Sequence, residues 1–333
     1  MNDLQEIDFK NSGRKILVPL IITASGEDTS TRFKEFFFAN IANENTREAY
    51  GRAIEGFFKW MEQRDKGDIL DIETLDIAAW ARSLEQKLAV ATVQQRLAAV
   101  KSLFNWFVRH QILSVSPAAT VKVKSERLRH GKTKVLSSAD ARRLLDTIQI
   151  EKTKDGASVP IHAGLRDRAL ISLMIYTFAR VSAAVQMNVS HVYEKDHRLW
   201  VDLQEKGGKH LSIPCHHILE QHLRAYIDVL GEGDPNTSPL FCAMDKSRQL
   251  TSNRLDRTQS WHMVRRRARQ AKISADICNH TFRGTGISSY LRNKGGRLEI
   301  AQHLAGHSDP KTTQLYDRRD EDISLDEVER IDI

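Results

Sequence analysis

Apolar positions along this 333-residue chain follow a helical period in two long stretches, separated by one break. From Thr31 to about His110 they recur every three or four residues, as in helices that bury one face. Residues 46–64 carry Tyr50, Ile54, Phe57, Phe58 and Met61. Residues 73–88 carry Leu75, Ala78, Ala79, Leu84 and Leu88, and residues 91–109 carry Val93, Leu97, Val100, Leu103, Phe104 and Phe107. Asn45 or Thr46 is the expected cap of the 46–64 helix, with Glu48 near its first turn. Together with residues 31–42 these segments predict a small bundle of four helices and no strand. Residues 1–28 show no sustained period and read as an irregular arm. The pattern breaks at Ser114–Pro117. It resumes after Ser137 and Ser138, a plausible cap for a helix over 139–148, and continues over 165–177, 216–230, 254–271, 281–293 and 297–304. Two short runs, 199–203 and 210–214, flank Gly207 and Gly208 and predict a β-hairpin. The fold class is mainly α, with a small antiparallel sheet in the second region, and the length suits two domains.

Charge changes this picture through its placement. Fifty Lys and Arg face 43 Asp and Glu, a net +7. Residues 121–134 hold Lys122, Lys124, Arg127, Arg129, Lys132 and Lys134 against Glu126, a local +5. This stretch reads as a linker, either a solvated loop or a strap over a phosphate backbone. Residues 254–272 hold Arg254, Arg257, Arg265, Arg266, Arg267, Arg269 and Lys272 against Asp256, a local +6. One-sign arginine density on an amphipathic helix favours a polyanion partner. The end of the chain after Tyr316 is acidic at −5, with Ile323, Leu325, Val328 and Ile331 interspersed. Cys215, Cys242 and Cys278 are far apart and form no CxxC pair, so neither a disulfide framework nor a zinc knuckle is expected. No run of 18 apolar residues predicts a membrane span. The first residues do not read as a secretory signal, so a reduced cytoplasmic setting is expected.

The candidate chemistry lies near the end. His280 and Arg283, three apart on one helical face, can present donors to a single phosphate. Leu304-Ala-Gly-His307 follows, with Gly306 suited to end a helix. Tyr316 comes nine residues after His307. HTFR at 280–283, LAGH at 304–307 and that tyrosine resemble the C-terminal box of the tyrosine recombinase (phage integrase) family. Arg180 in TFARVS fits the family's earlier arginine, and Lys206 in EKGGK fits its β-hairpin lysine, with Lys209 as competitor. The order Arg, Lys, HxxR, His, Tyr is complete, and the resemblance covers residues 30–320. Two departures stand out. Ala183 occupies a position where the family often has an acidic residue thought to buttress the site. Gly284 stands where a basic or polar residue is common.

The resemblance implies a helical core-binding (SAM-like) domain at 29–115 after the arm, a basic linker at 116–137, a catalytic domain at 138–321 and a tail at 322–333. It implies a site-specific recombinase that cleaves and rejoins DNA through a 3′-phosphotyrosyl bond without metal, ATP or other cofactor. Tyr316 would be the nucleophile. Arg180 and Arg283 would hold the non-bridging oxygens, Lys206 would be the general acid, His280 a base or phosphate partner, and His307 a phosphate donor. Partners would be double-stranded DNA with inverted-repeat sites, three further copies in a tetrameric synapse, and accessory proteins, with the enzyme at the bacterial nucleoid and serving a mobile element. The two basic stretches would touch phosphates, and Gln94, Gln95, Arg96 and Lys101 are candidates for base readout. The tail would pack on a neighbouring protomer or on its own domain. Rival readings are a catalytically weak DNA-binding protein of this fold, a type IB topoisomerase or telomere resolvase, and a metallohydrolase using Cys215, His216 and His217.

Overall fold

The computed structural model describes residues 6–9, 14–125, 131, 133–205, 208–273, 276–318 and 329. The chain divides into two compact units, Met1–Arg127 and Leu128–Ile333.

The first unit begins with an antiparallel pair, β1 (Glu6–Phe9) and β2 (Arg14–Leu17). Five helices follow: α1 (Leu20–Ala24), α2 (Glu27–Ala39), α3 (Glu44–Glu62), α4 (Thr74–Glu85) and α5 (Val90–Arg109). The expected irregular arm therefore contains a hairpin and a short helix. Val18, Ile21 and Ile22 from that segment enter the unit's core. Three apolar residues in so short a span cannot display a period. The α3 cap is Asn43, whose side-chain oxygen accepts from Thr46 N–H at 3.2 Å, in place of Asn45 or Thr46. The stripe assigned to α4 was displaced by a residue or two. Ile77, Trp80 and Ala81 face the core and Leu75 is 76% exposed. Phe33, Phe36, Phe37, Phe57, Phe58, Phe104 and Phe107 are fully buried, and neighbouring rings meet edge to face, as Phe57 does with Phe58, Trp80 and Phe104. Each such ring contributes roughly 2–3 kcal/mol by leaving water, so this aromatic cluster is the main reason the bundle holds.

The second unit comprises α6 (Ser138–Thr147), the hairpin β3 (Glu151–Lys154) and β4 (Ala157–Pro160), α7 (His162–Tyr176) and α8 (Val181–Gln186). Next come β5 (Val192–Lys195), β6 (Arg198–Glu205), β7 (Lys209–Pro214) and α9 (His217–Ile227). Then follow β8 (Cys242–Met244), β9 (Leu250–Arg254), α10 (Arg257–Gln270), α11 (Asn279–Arg292), α12 (Leu298–Leu304) and α13 (Pro310–Gln314). The expected hairpin is β6–β7, extended by β5 into a three-stranded antiparallel sheet. Helix α7 is buried along most of its length and packs against α9 and α11, which makes it the centre of the unit. Ser137 caps α6, its Oγ accepting from Asp140 N–H at 3.0 Å. No helix among the described residues is long and apolar enough to cross a membrane.

Candidate functional site

Four local features bring the sequence-predicted residues together. Arg180 is the N-cap residue of α8, directly after the turn that ends α7. Helix α11 is buried on nearly every side, so Arg283 is carried into the interior and fully buried. Gly306, at φ +57°, ends α12 in the left-handed region and turns the chain so that His307 is also buried. Short α13, with Pro310 in its first turn, then delivers Tyr316, whose carbonyl accepts from Ser288 Oγ at 2.8 Å.

The Tyr316 hydroxyl lies 2.6 Å from His280 Nε2. Its ring stacks on His307 with centroids 6.0 Å apart and planes 11° apart. One guanidinium nitrogen of Arg283, Nη2, is 2.7 Å from His307 Nε2. Arginine offers only donors, so that ring nitrogen accepts. His307 is therefore neutral with its proton on Nδ1, which lies 2.9 Å from Thr313 Oγ1. The ring's basicity agrees, since burial first, then the charges of Arg283 and Arg180, push its pKa down to about 3. His280 keeps part of its ring exposed, yet burial of the rest and the same two arginines lower its pKa too. Arg283 also donates to the carbonyls of Phe178 and Ala305, while its Nε is buried without a partner among the described residues. Burial and neighbouring Arg180 lower its pKa to about 10. Burial raises the Tyr316 pKa against the opposing pull of Arg283, a hydrogen bond from Thr133 and Arg180.

Two further residues join this cluster that sequence reasoning missed. Glu205, the last residue of β6, is buried and accepts from the Arg180 backbone N–H at 3.1 Å and from its guanidinium. The signal for it was available: along β6 the inward positions alternate, Leu199, Val201, Leu203, Glu205. Thr133 had no signal, because it sits in a stretch notable only for charge. Gly284 packs against Tyr316, with no side chain between helix and ring. A Cβ there would meet Tyr316 Cε1 at 3.1 Å and Val135 Cγ1 at 3.0 Å. Lys206 lies outside the described residues. Lys209 begins β7 and lines a cleft of about 390 Å³ with His210, Gln302, His303 and His307.

The basic residues divide sharply. Arg267 turns inward and donates to the fully buried Asp167, at 2.9 Å from Nε. Arg166 and the half-exposed Arg266 share that carboxylate. Arg254 belongs to β9 rather than to the helix, and its guanidinium binds the carbonyls of Val185 and Met187 and the Asn188 side chain. Arg254 and Arg267, both counted in the sequence among the candidate phosphate contacts, are thus each taken up by acceptors within the fold. Arg257 and Arg269 are exposed, and Arg265 lies over the Trp261 ring. Lys122, Lys124 and Lys134 are exposed, while Arg127, Arg129 and Lys132 lie outside the described residues. On α5, Gln94 and Lys101 donate to the carbonyls of Lys124 and Ala119, and Gln95 and Arg96 are half-buried. The set considered for a metal does not converge: burial pushes the Cys215 thiol up to about 12 and His216 stacks on Tyr176. Apart from Glu329, the tail 322–333 lies outside the described residues.

A helical unit followed by a mostly helical unit with a small antiparallel sheet, bearing a tyrosine among histidines and arginines, is the arrangement that the resemblance to the tyrosine recombinases implies. The phage integrase family model matches residues 134–322, and the model of the phage integrase N-terminal SAM-like domain matches residues 31–111. Tyrosine recombinase XerD of Pseudomonas aeruginosa is 30% identical over 281 residues, covering 82% of this chain and 86% of that protein. Tyrosine recombinase XerD of Ralstonia nicotianae is 27% identical over 277 residues, covering 82% and 83%. Among solved structures, XerH site-specific recombinase in a post-cleavage complex with a palindromic difH substrate has a TM-score of 0.67 at 16% identity, covering 87% of this chain and 80% of that one. A lambda integrase tetramer bound to a Holliday junction has a TM-score of 0.65 at 15% identity, covering 86% and 75%. The chain belongs to the phage integrase family of tyrosine recombinases. Its activity is site-specific recombination, the cleavage and rejoining of DNA strands.

Proposed function

We propose that Tyr316 is the nucleophile and that Arg180, Arg283, His280, His307 and a hairpin lysine complete the site. The observation that carries this reading is the 2.6 Å contact between the Tyr316 hydroxyl and His280 Nε2, beside two arginines. A phenol of ordinary pKa near 10 is a weak nucleophile at neutral pH. A neutral His280, kept neutral by burial and adjacent positive charge, can take its proton as general base. The phenol oxygen then attacks the scissile phosphorus, forming a 3′-phosphotyrosyl bond as the bond to the 5′ oxygen breaks. Lys206 protonates that departing oxygen. Arg180 and Arg283 stabilise the charge that develops on the non-bridging oxygens. The partnerless Nε of Arg283 is a buried donor of the kind an anion can satisfy. His307 can donate to the phosphate once Arg283 releases its Nε2 and the ring proton moves there from Nδ1. Rejoining reverses these steps with a 5′-hydroxyl as nucleophile, and the covalent bond conserves the phosphodiester energy, so no ATP is consumed.

Lys209 competes with Lys206 as general acid, because its charge bears on His307 and it lines the adjoining cleft. A substrate with sulfur in place of the departing 5′ oxygen separates them. Only the variant lacking the true acid should recover on it.

The partner is double-stranded DNA, held by a helical domain over 29–115, the basic strap over 116–137 and a catalytic domain over 138–321. Of the basic residues, Lys122, Lys124, Lys134, Arg257, Arg266 and Arg269 are exposed for phosphate contacts, with Arg265 half-buried beside them. A tetramer on inverted-repeat sites fits the lambda integrase assembly, with the tail 322–333 packing between protomers. The test of the reading is a nicked duplex that traps the covalent complex. Wild type should yield an adduct that maps to Tyr316, and Tyr316→Phe should yield none. An adduct with Tyr316→Phe would refute it.

A further inference from the structure

We propose that Glu205 is the positioning residue of the arginine pair, supplying from the end of β6 the carboxylate that Ala183 does not provide on α8. The inference rests on the active-site reading above.

Strand register places it. The inward positions of β6 are apolar at Leu199, Val201 and Leu203, and the next inward position is Glu205. Its side chain is 1% exposed. A carboxylate so buried persists as an anion only with close cationic or hydrogen-bonding partners. It has them from both arginines. The Arg180 backbone N–H donates to Oε1 at 3.1 Å, the Arg180 guanidinium donates to Oε2, and Arg283 Nη1 lies 3.9 Å from Oε1. Position 183 is buried and apolar. Backbone and side chain of Arg180 are thus both tied to one carboxylate, which fixes where its guanidinium can point. The two guanidinium groups would repel, as the effect of Arg180 on the buried Arg283 records. One carboxylate against them leaves a single net positive charge, matched to a phosphodiester monoanion.

Arg180, at 28% side-chain exposure, is the member of the pair open to a ligand. Glu205 touches neither substrate nor Tyr316, so its action is through the arginines.

The experiment is single-turnover covalent-complex formation on the nicked duplex, with Glu205→Gln, Arg180→Ala and the double variant. Glu205→Gln should slow the step roughly 10- to 100-fold, the loss of a charge-assisted contact, with DNA affinity changed less than about twofold. The double variant should be no more than about threefold slower than Arg180→Ala alone, as two members of one device are not additive. The alkaline limb of the pH–rate profile should move down, because Glu205 helps keep Arg283 protonated. If Glu205→Gln is not folded at the assay temperature by thermal melting, Glu205→Asp takes its place in the same cycle. A wild-type rate, or losses that multiply in the double variant, overturns the proposal. Failure of the underlying reading looks different: the wild-type adduct then maps to a residue other than Tyr316.

Discussion

Replacing Gly284 with alanine separates stability from catalysis at one atom. The glycine lies inside α11, where an added Cβ would sit 3.1 Å from Tyr316 Cε1 and 3.0 Å from Val135 Cγ1. Ordinary carbon contacts are roughly 3.5–4.0 Å, so the tyrosine ring must retreat by about half an ångström. Two stability terms oppose each other. Overpacking costs about 1–3 kcal/mol, and alanine in a helix interior recovers about 1 kcal/mol relative to glycine. The net change is therefore about 0–2 kcal/mol, small enough to leave the fold intact. The chemistry has no such compensation. A misplacement near 1 Å costs on the order of a hundredfold in rate, so half of it predicts roughly a tenfold slower cleavage. The assay pairs urea unfolding with single-turnover trapping on the nicked duplex. Gly284→Ala at the wild-type cleavage rate would refute the packing argument, as would a stability loss above about 4 kcal/mol, which would mean that the helix and not the ring had yielded.

Four other outcomes follow from the same geometry. Thr133→Val removes the hydroxyl that donates to the Tyr316 oxygen and lowers its pKa. Cleavage should slow by roughly the value of one hydrogen bond, about tenfold or less, and its pH dependence should shift to higher pH, while Thr133→Ser keeps both. Acid lability should come from His307 and His222, whose folded pKa values lie at about 3 and about 4 because of burial. The unfolded chain takes up these protons near pH 6.5 and the folded one does not, so stability is complete above that pH and is lost as the pH falls. Each should remove about 2 kcal/mol by pH 5, and a His222→Gln variant that retained the whole loss in urea titrations at pH 7.5 and 5 would count against this. Arg267→Ala leaves Asp167 without one of its partners and should destabilise by about 3–5 kcal/mol. The exposed Arg269→Ala should instead leave stability within about 0.5 kcal/mol and lower the salt slope of DNA affinity by about one.

Long amphipathic helices were legible because burial of one face writes a period into the sequence. Helix α5 shows this, with each of its six predicted apolar positions buried. Helix α4 misled because Leu75, in its first turn, remains at the surface, while Ile77 and Trp80 form the inner face and Leu84 only borders it. The β3–β4 hairpin has almost wholly exposed strands and so no alternation to detect. Of the candidate site, spacing placed His280 and Arg283 on one helical face, while His307, Tyr316 and Arg180 were marked by the resemblance to the tyrosine recombinases. Glu205 and Thr133 approach from distant segments, and only the fold reveals their meeting with Arg180 and Tyr316.

The arginines carry the same lesson in charge. Residues 254–272 hold a local +6, and on composition alone every guanidinium there is an equal candidate for a phosphate. The fold breaks that equality with one acidic residue from another helix. Asp167 lies on α7, almost a hundred positions earlier, and is wholly buried. It must be neutralised, and Arg166, Arg266 and Arg267 do so. Arg254 meanwhile satisfies carbonyls at the end of α8. The basic surface left for a polyanion is therefore smaller than the local charge suggests. Its position is also fixed more firmly, because Arg266 reaches the surface while anchored to the same buried carboxylate. A guanidinium held in this way surrenders less freedom on meeting a phosphate than one on a free side chain. On the proposed reading of these residues as phosphate contacts, the same carboxylate that withdraws Arg267 orients Arg266.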